Sequence, residues 1–450
     1  MSQSKKRILF VLPTEDLTAG GERSNFELIK SALNRGYEVH AFVRTEGELE
    51  KSLKKLGVVT NILMYNWWNH TESEDPGSTD ILATVSIAQY VALNKIDATV
   101  TNTLNIPWAA WASSLVNKPH VWIARENVEG EGFSYLQDKC EFVNRFSNVV
   151  IANSSELCRE LTSGGIKDCK YFMSFTEKPI SLGSDSDEIK LVSVGRLEKN
   201  KNQLEIIRAM HLLGKRGLRP SVVFIGGSDK DYKLELKREV KKYSLEGQVE
   251  FHDFIRDPWS LVSPVDIFIR PSLNESIGRT IVEAMKLGLI CVGADIPGTK
   301  EAFKLGGGVA YRVGQPGDLA DKLEKILSKP SRFRAQALKN AVRAEANLSE
   351  QKSHQEFFIQ LEKVISDGLG PVNNSVLFKY FKSFARDLNE KTEQNERMKR
   401  DIVALHKAIE DKDKLITSSV KKASFMGRVK SRVKRNLSML TVTLFLCICL

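Results

Sequence analysis

Two glutamates, Glu275 and Glu283, stand with seven residues between them around a short turn that also carries Asn274, Ser276, Ile277 and Gly278. The apolar run at 265–269 before the turn reads as a buried parallel strand. After it, Ile281, Val282, Met285 and Leu287 recur at nearly helical spacing. Strand, turn, helix is an order that points unpaired N–H groups and a partial positive charge at whatever occupies the turn, and this favours an anion. Gly278 would let the backbone approach a ligand closely. A carboxylate beside an anion is not there for attraction. It suits hydroxyl groups, and sugars and riboses are rich in them. The alternative is that both glutamates are solvated acids on a helix face, the usual fate of Glu.

A second strand-turn-helix lies upstream, at Gly195-Arg196-Leu197-Glu198-Lys199-Asn200-Lys201. Arg196 can give a forked contact to phosphate oxygens and Lys201 a point charge, and a diphosphate suits two cations. Taken alone the turn is equally a solvated basic loop. A third lies near the start: residues 8–12 read as a buried strand, and Gly20-Gly21 opens an amphipathic helix over 22–34. That glycine pair either presents N–H groups to a phosphate or makes a plain tight turn. It is neither Gly-x-Gly-x-x-Gly nor a Walker A loop.

Taken together, Gly195, Arg196, Leu197 and Lys201 with the Glu275-x7-Glu283 pair resemble the retaining GT-B glycosyltransferases of family 4 (glycosyl transferases group 1). The resemblance implies two facing Rossmann-like domains and transfer of a sugar from a nucleotide-diphosphate donor to a hydroxyl. It implies Glu275 at the transferred sugar, Glu283 on the ribose, Arg196 and Lys201 on the diphosphate, and Gly20 and Gly21 against diphosphate and acceptor. Asn274, Ser276, Ile277 and Gly278 would wall the donor pocket, with Ser276-Ile277 in place of the common Gly-Phe. Many members carry a His near the sugar where this chain reads Ala124-Arg125-Glu126-Asn127. Either Arg125 takes that place beside Glu275 in catalysis, or His120 does, or Arg125 merely pairs with Glu126 or Glu129. The family usually has Gly near the base where His252-Asp253 stands here. No Asp-x-Asp metal motif stands in a strand-end loop, so the expected cofactor is none, the nucleotide-sugar being a substrate.

These elements must be held by open α/β sheets, whose ligands bind at the carboxyl ends of strands. Strands are expected at 37–43, 98–101, 121–124, 149–152, 189–194, 222–225 and 290–293, besides those named. The fold class is α/β, a GT-B arrangement with a C-terminal crossover helix. The domains divide as 1–180 (acceptor side), 188–348 (nucleotide-sugar side), 349–369 (crossover helix) and 370–450 (a helical basic tail with an apolar tip). At 450 residues and a formal charge of +10 the composition is that of an ordinary soluble protein. The six cysteines lack metal spacing, and a strand follows Lys5-Lys6-Arg7 directly, which suggests a reducing cytosol.

Seven cations, Lys421, Lys422, Arg428, Lys430, Arg432, Lys434 and Arg435, cluster without an acid before an apolar stretch at 437–450. That stretch is short for a membrane span and reads as an interfacial anchor on an anionic surface, a disordered tail or a docking helix. The expected partners are a nucleotide-sugar donor, a glycan or lipid-linked acceptor, as in polysaccharide or lipopolysaccharide biosynthesis, and an anionic membrane at 421–450, with a cytoplasmic, peripheral location. Nucleic acid is not expected, because the basic charge lacks interleaved aromatic platforms. Rival readings are an inactive membrane-docked scaffold of the same fold and a sugar-phosphate synthase.

Overall fold

The computed structural model describes residues 5–368, apart from 16, 18–19, 68–75, 126–135, 174, 180–181 and 184–185. The tail at 370–450 lies outside the described residues, as do Glu126 and Glu129.

The first half runs β1 (Arg7–Val11), α1 (Gly20–Asn34), β2 (Glu38–Val43), α2 (Glu48–Lys55), β3 (Val59–Ile62), α3 (Pro76–Leu93), β4 (Ala98–Asn102), α4 (Trp108–Leu115), β5 (His120–Ala124), α5 (Leu136–Phe146), β6 (Val149–Ala152), α6 (Ser155–Ser163) and β7 (Cys169–Tyr171). The second runs β8 (Lys190–Val194), α7 (Leu204–Lys215), β9 (Ser221–Ile225), α8 (Lys230–Lys242), β10 (Val249–His252), β11 (Ile267–Arg270), α9 (Arg279–Lys286), β12 (Ile290–Ala294), α10 (Pro297–Leu305), β13 (Val309–Tyr311), α11 (Pro316–Ser328), α12 (Pro330–Asn347) and α13 (Glu350–Asp367).

The strands form two sheets, ordered β3-β2-β1-β4-β5-β6-β7 and β10-β9-β8-β11-β12-β13. Every pairing in them is parallel. Parallel sheets need helices on both faces, so their central strands are apolar on both sides. Period-two alternation sorts the side chains. Leu9 and Val11 of β1 enter one apolar cluster, while Ile8 and Phe10 enter another on the opposite face. In the second sheet Ile267 and Ile269 part from Phe268 in the same way. Ser349 caps α13 by accepting from the Lys352 N–H. That helix comes after the second sheet yet buries Phe357, Phe358, Leu361 and Val364 against the first, so the chain crosses back.

The order reverses between β1 and β4 in one sheet and between β8 and β11 in the other. Such switch points open a crevice at the strands' carboxyl ends, because the neighbouring connections leave to opposite faces. The loops there are those before α1, around Arg196 and Lys201, and around Glu275.

Candidate active site

A cleft of about 950 Å³ lies between the two sheets. Gly20, Gly21, Arg125 and Asn153 line it from one domain, and Arg196, Lys201, Glu275 and Glu283 from the other. Residues spread over more than 260 positions of sequence thus share one cavity, because both switch points face it.

The turn at 271–278 is tied to the turn at 199–202. Asn200 accepts from the N–H of Leu273 at 2.9 Å through its carbonyl and from that of Asn274 at 3.2 Å through its side-chain oxygen. Its amide donates to the Asn274 carbonyl at 2.8 Å. Asn202 closes the turn in the left-handed region, φ 51°, which Asn tolerates better than most residues. The result brings Lys201 Nζ to 2.9 Å from Glu275 Oε2. The same oxygen accepts from Ser272 Oγ at 3.0 Å and pairs with the Arg270 guanidinium at the end of β11. Burial would raise the Glu275 carboxyl, but the charges of Arg270 and Lys201 outweigh it and hold the group below the ordinary carboxylate range.

Gly278 is extended, with φ −78° and ψ 139°, and caps α9 without a side-chain hydrogen bond. A Cβ at this position would run into the Arg270 guanidinium. Sequence reasoning gave the open side of Gly278 to a ligand; the structure gives it to Arg270, whose tip needs that space to reach Glu275. Gly298 acts similarly from behind. A Cβ there would collide with the Glu275 carbonyl and with Ser276, so Gly298 backs the turn.

Glu283 lies in the second turn of α9, only 8% exposed. Its Oε2 accepts from the Trp259 indole N–H at 2.9 Å, and its Oε1 stands 4.0 Å from Arg279 Nε. Trp259 is buried in a 3-10 turn at Pro258–Leu261. Sequence reasoning missed Trp259, Arg270 and Arg279. Their only signal was a polar or aromatic residue next to an otherwise apolar run.

The remaining expectations divide. Gly20 and Gly21 are the first residues of α1, so their N–H groups belong to a helix start instead of a preceding loop. Arg279 passes beside them: its Nη1 donates to Ser24 Oγ at 3.2 Å and to the Phe175 carbonyl at 3.1 Å. Arg125 follows β5 and donates to Asn102 Oδ1 at 2.8 Å and Asn25 Oδ1 at 3.1 Å. His120 starts β5, at the strand end away from the cleft. It is fully buried, its Nδ1 is 2.8 Å from Thr99 Oγ1, and burial pushes it down to about 3. Of the two, the cleft holds Arg125. Ser276 Oγ accepts from Asn153 Nδ2 at 3.2 Å, across the domains. Ile277 reaches the cleft but is largely core, packed in the cluster of Ile281 and Trp259. Asn274 is exposed and contributes its backbone to the turn; its side chain is not part of the cleft wall. Arg196 is 70% exposed, 3.7 Å from Glu198. His252 lies outside the wall, which Phe254 and Ile255 form there.

Two parallel-sheet Rossmann-like domains, closed by a crossover helix around a cleft at their switch points, are the GT-B fold. Residues 174–344 match the family model "Glycosyl transferases group 1", and the chain carries that domain. The Escherichia coli O-antigen biosynthesis glycosyltransferase WclY is 35% identical over 82 residues, which cover 18% of this chain and 23% of that one. A Dictyostelium discoideum GDP-Man:Man(3)GlcNAc(2)-PP-Dol alpha-1,2-mannosyltransferase is 23% identical over 52% of this chain and 51% of its own length. The chain thus spans about half or less of these curated relatives. Among solved structures, Anabaena HepE in complex with UDP and glucose superposes with a TM-score of 0.66 and 22% identity, over 79% of this chain and 99% of that one.

Proposed function

We propose that the chain transfers a sugar from a nucleotide-diphosphate donor to a hydroxyl of a glycan or lipid-linked acceptor, with retention of anomeric configuration. In that reaction the bond from the anomeric carbon to the phosphate oxygen breaks and one to the acceptor oxygen forms. The nucleoside diphosphate leaves with the electron pair and the acceptor loses its proton. The observation that supports this most is the convergence of Lys201, Glu275, Glu283 and the uncapped start of α9 on one cleft. Lys201 and Arg196, with the α9 N-terminus, would offset the charge that grows on the leaving diphosphate, without a metal ion. Glu283, oriented by Trp259, would take the ribose hydroxyls. Glu275, with Arg125 facing it from the other domain, would take the sugar. HepE crystallised with UDP and glucose, and WclY serves O-antigen biosynthesis. Both are in keeping with a uridine donor and a cell-surface glycan.

We propose too that 421–450 holds the enzyme peripherally on an anionic cytoplasmic membrane face, near a lipid-linked acceptor. Among the described residues no helix is long and apolar enough to cross a membrane. Incubation with UDP-, GDP- and ADP-sugars, followed by mass spectrometry of bound nucleotide-sugar and NMR of the product's anomeric proton, tests the reading. Failure to retain any nucleotide-sugar would sink it, and an inverted anomer would remove retention.

A further inference from the structure

We propose that Glu275 competes with the donor's diphosphate for Lys201, so that nucleotide enters and leaves the cleft by exchange with this carboxylate. The inference rests on the donor reading above and adds a step to its cycle. Lys201 is engaged by this carboxylate: its ammonium stands 2.9 Å from Glu275 Oε2. Lys201 is the better placed of the two expected phosphate cations, its side chain 23% exposed where that of Arg196 is 70% exposed. A diphosphate drawn to Lys201 would set its own negative charge beside a carboxylate held by the same ammonium. Like charges that close, in a half-buried site, repel strongly. One of them must give way.

The geometry lets Glu275 yield Lys201 without being lost. Ser272 Oγ, at 3.0 Å, and Arg270 hold the same Oε2 from the strand side. Arg270 is itself buried in the space left by Gly278. When Lys201 turns to phosphate, Arg270 still neutralises the carboxylate, which stays ionised and faces the donor's sugar hydroxyls. After transfer the sugar has gone. Glu275 then has no hydroxyl to accept from, and it recaptures Lys201 as the nucleoside diphosphate leaves. The same residue would hold the sugar before the reaction and speed product release after it.

The test uses the full chain and two probes, UDP and inorganic pyrophosphate, titrated by calorimetry at low salt. Glu275→Gln, which keeps the shape and removes the charge, should tighten both probes about tenfold, the size of one hydrogen bond to a charged group. It should also slow UDP dissociation in stopped flow by a similar factor. In a Lys201→Ala background Glu275→Gln should bring a clearly smaller gain, the part due to direct repulsion between carboxylate and diphosphate; an equal gain there would mean repulsion without exchange and overturn the proposal. Circular dichroism and the unfolding midpoint check that the variant is folded. If it is not, Glu275→Asp, one methylene shorter and still charged, should give a smaller gain of the same sign. Equal or weaker UDP binding by a folded Glu275→Gln protein, while Lys201→Ala still loses affinity, would overturn the exchange and leave the donor reading standing. No binding of either probe by any form, wild type included, would overturn both.

Discussion

Lys201 and Arg196 entered the reading as equals and leave it as opposites. Lys201 is held at the cleft wall by the Asn200 hydrogen bonds to 273–274, whereas Arg196 reaches into solvent. Both remain expected on the diphosphate. Arg196 would have to swing in, which an exposed side chain can do. Lys201→Ala should weaken UDP binding by about 2–5 kcal/mol, the range for truncating one partner of a buried charge pair, and Arg196→Ala should weaken it less, since its side chain is 70% exposed. Their effects on the fold should part. Arg196→Ala should leave stability within roughly 0.5 kcal/mol of wild type, as surface substitutions do, while Lys201→Ala removes a partner from Glu275 and should lower the unfolding midpoint. UDP titration and thermal melts of the two variants check this, and unchanged UDP affinity in both would remove the clamp.

At the scale of the element, α9 does three jobs. Its start faces the cleft, its second turn carries Glu283, and its last residue, Lys286, is buried under the domain crossings. Lys286 Nζ donates to the Thr176 carbonyl at 2.9 Å and the Leu348 carbonyl at 3.0 Å. Those two residues lie where the chain passes between domains. The helix can sit this close to β11 only because position 278 has no side chain. Gly278→Ala should therefore destabilise the protein by about 1–3 kcal/mol through overpacking. The cause is steric, since φ −78° suits any residue. Placing the same substitution on Arg270→Ala, where the guanidinium is gone, should cost much less. Urea unfolding of the single and double variants measures the difference, and additive costs would show that the two positions do not meet.

At the scale of the molecule, α13 joins the two halves by burying its apolar face on the first sheet, and it carries His354 inward. Burial pushes His354, like His120 in β5, down to about 3. In the unfolded chain each histidine titrates near its ordinary 6.5. Below 6.5 the unfolded state therefore takes up protons that the native state refuses until about pH 3. Stability falls as the pH drops through that window, by up to about 1.4 kcal/mol per pH unit for each group. Melts between pH 7.5 and 5 should show a falling midpoint, and His120→Gln should flatten the slope; an unchanged slope would place the loss elsewhere. The second expectation at this scale concerns 421–450. The full chain should sediment with anionic vesicles, weaken with salt, and lose the interaction when cut after Gly370, each cation contributing on the order of 1 kcal/mol. Equal binding to neutral vesicles would make the tail a hydrophobic or protein-docking element.

Apolar runs and the glycines that end them determined the two α/β halves, because a parallel strand buried on both faces leaves a continuous signal, as at 8–12. The strands that escaped were short and at sheet edges: β3 has two exposed residues of four, β10 has four residues with none buried, and β7 and β13 have three residues each. Edge strands are half solvated and need no such run. Glu275, Glu283 and Lys201 were legible because their spacing rides on one strand-turn-helix unit or on its twin. What joins them was not. Arg270 reads as the polar end of a strand, Trp259 as an ordinary core aromatic and Arg279 as a helix-surface cation. Each acquires its role only from a partner distant in sequence or from a missing Cβ nearby. Chain order says which residues are neighbours on an element. Only the tertiary structure decided which charges would meet: the pairing of β8 with β11 brings Lys201 to Glu275, and the docking of the two sheets brings Arg125 and Asn153 to the same cleft.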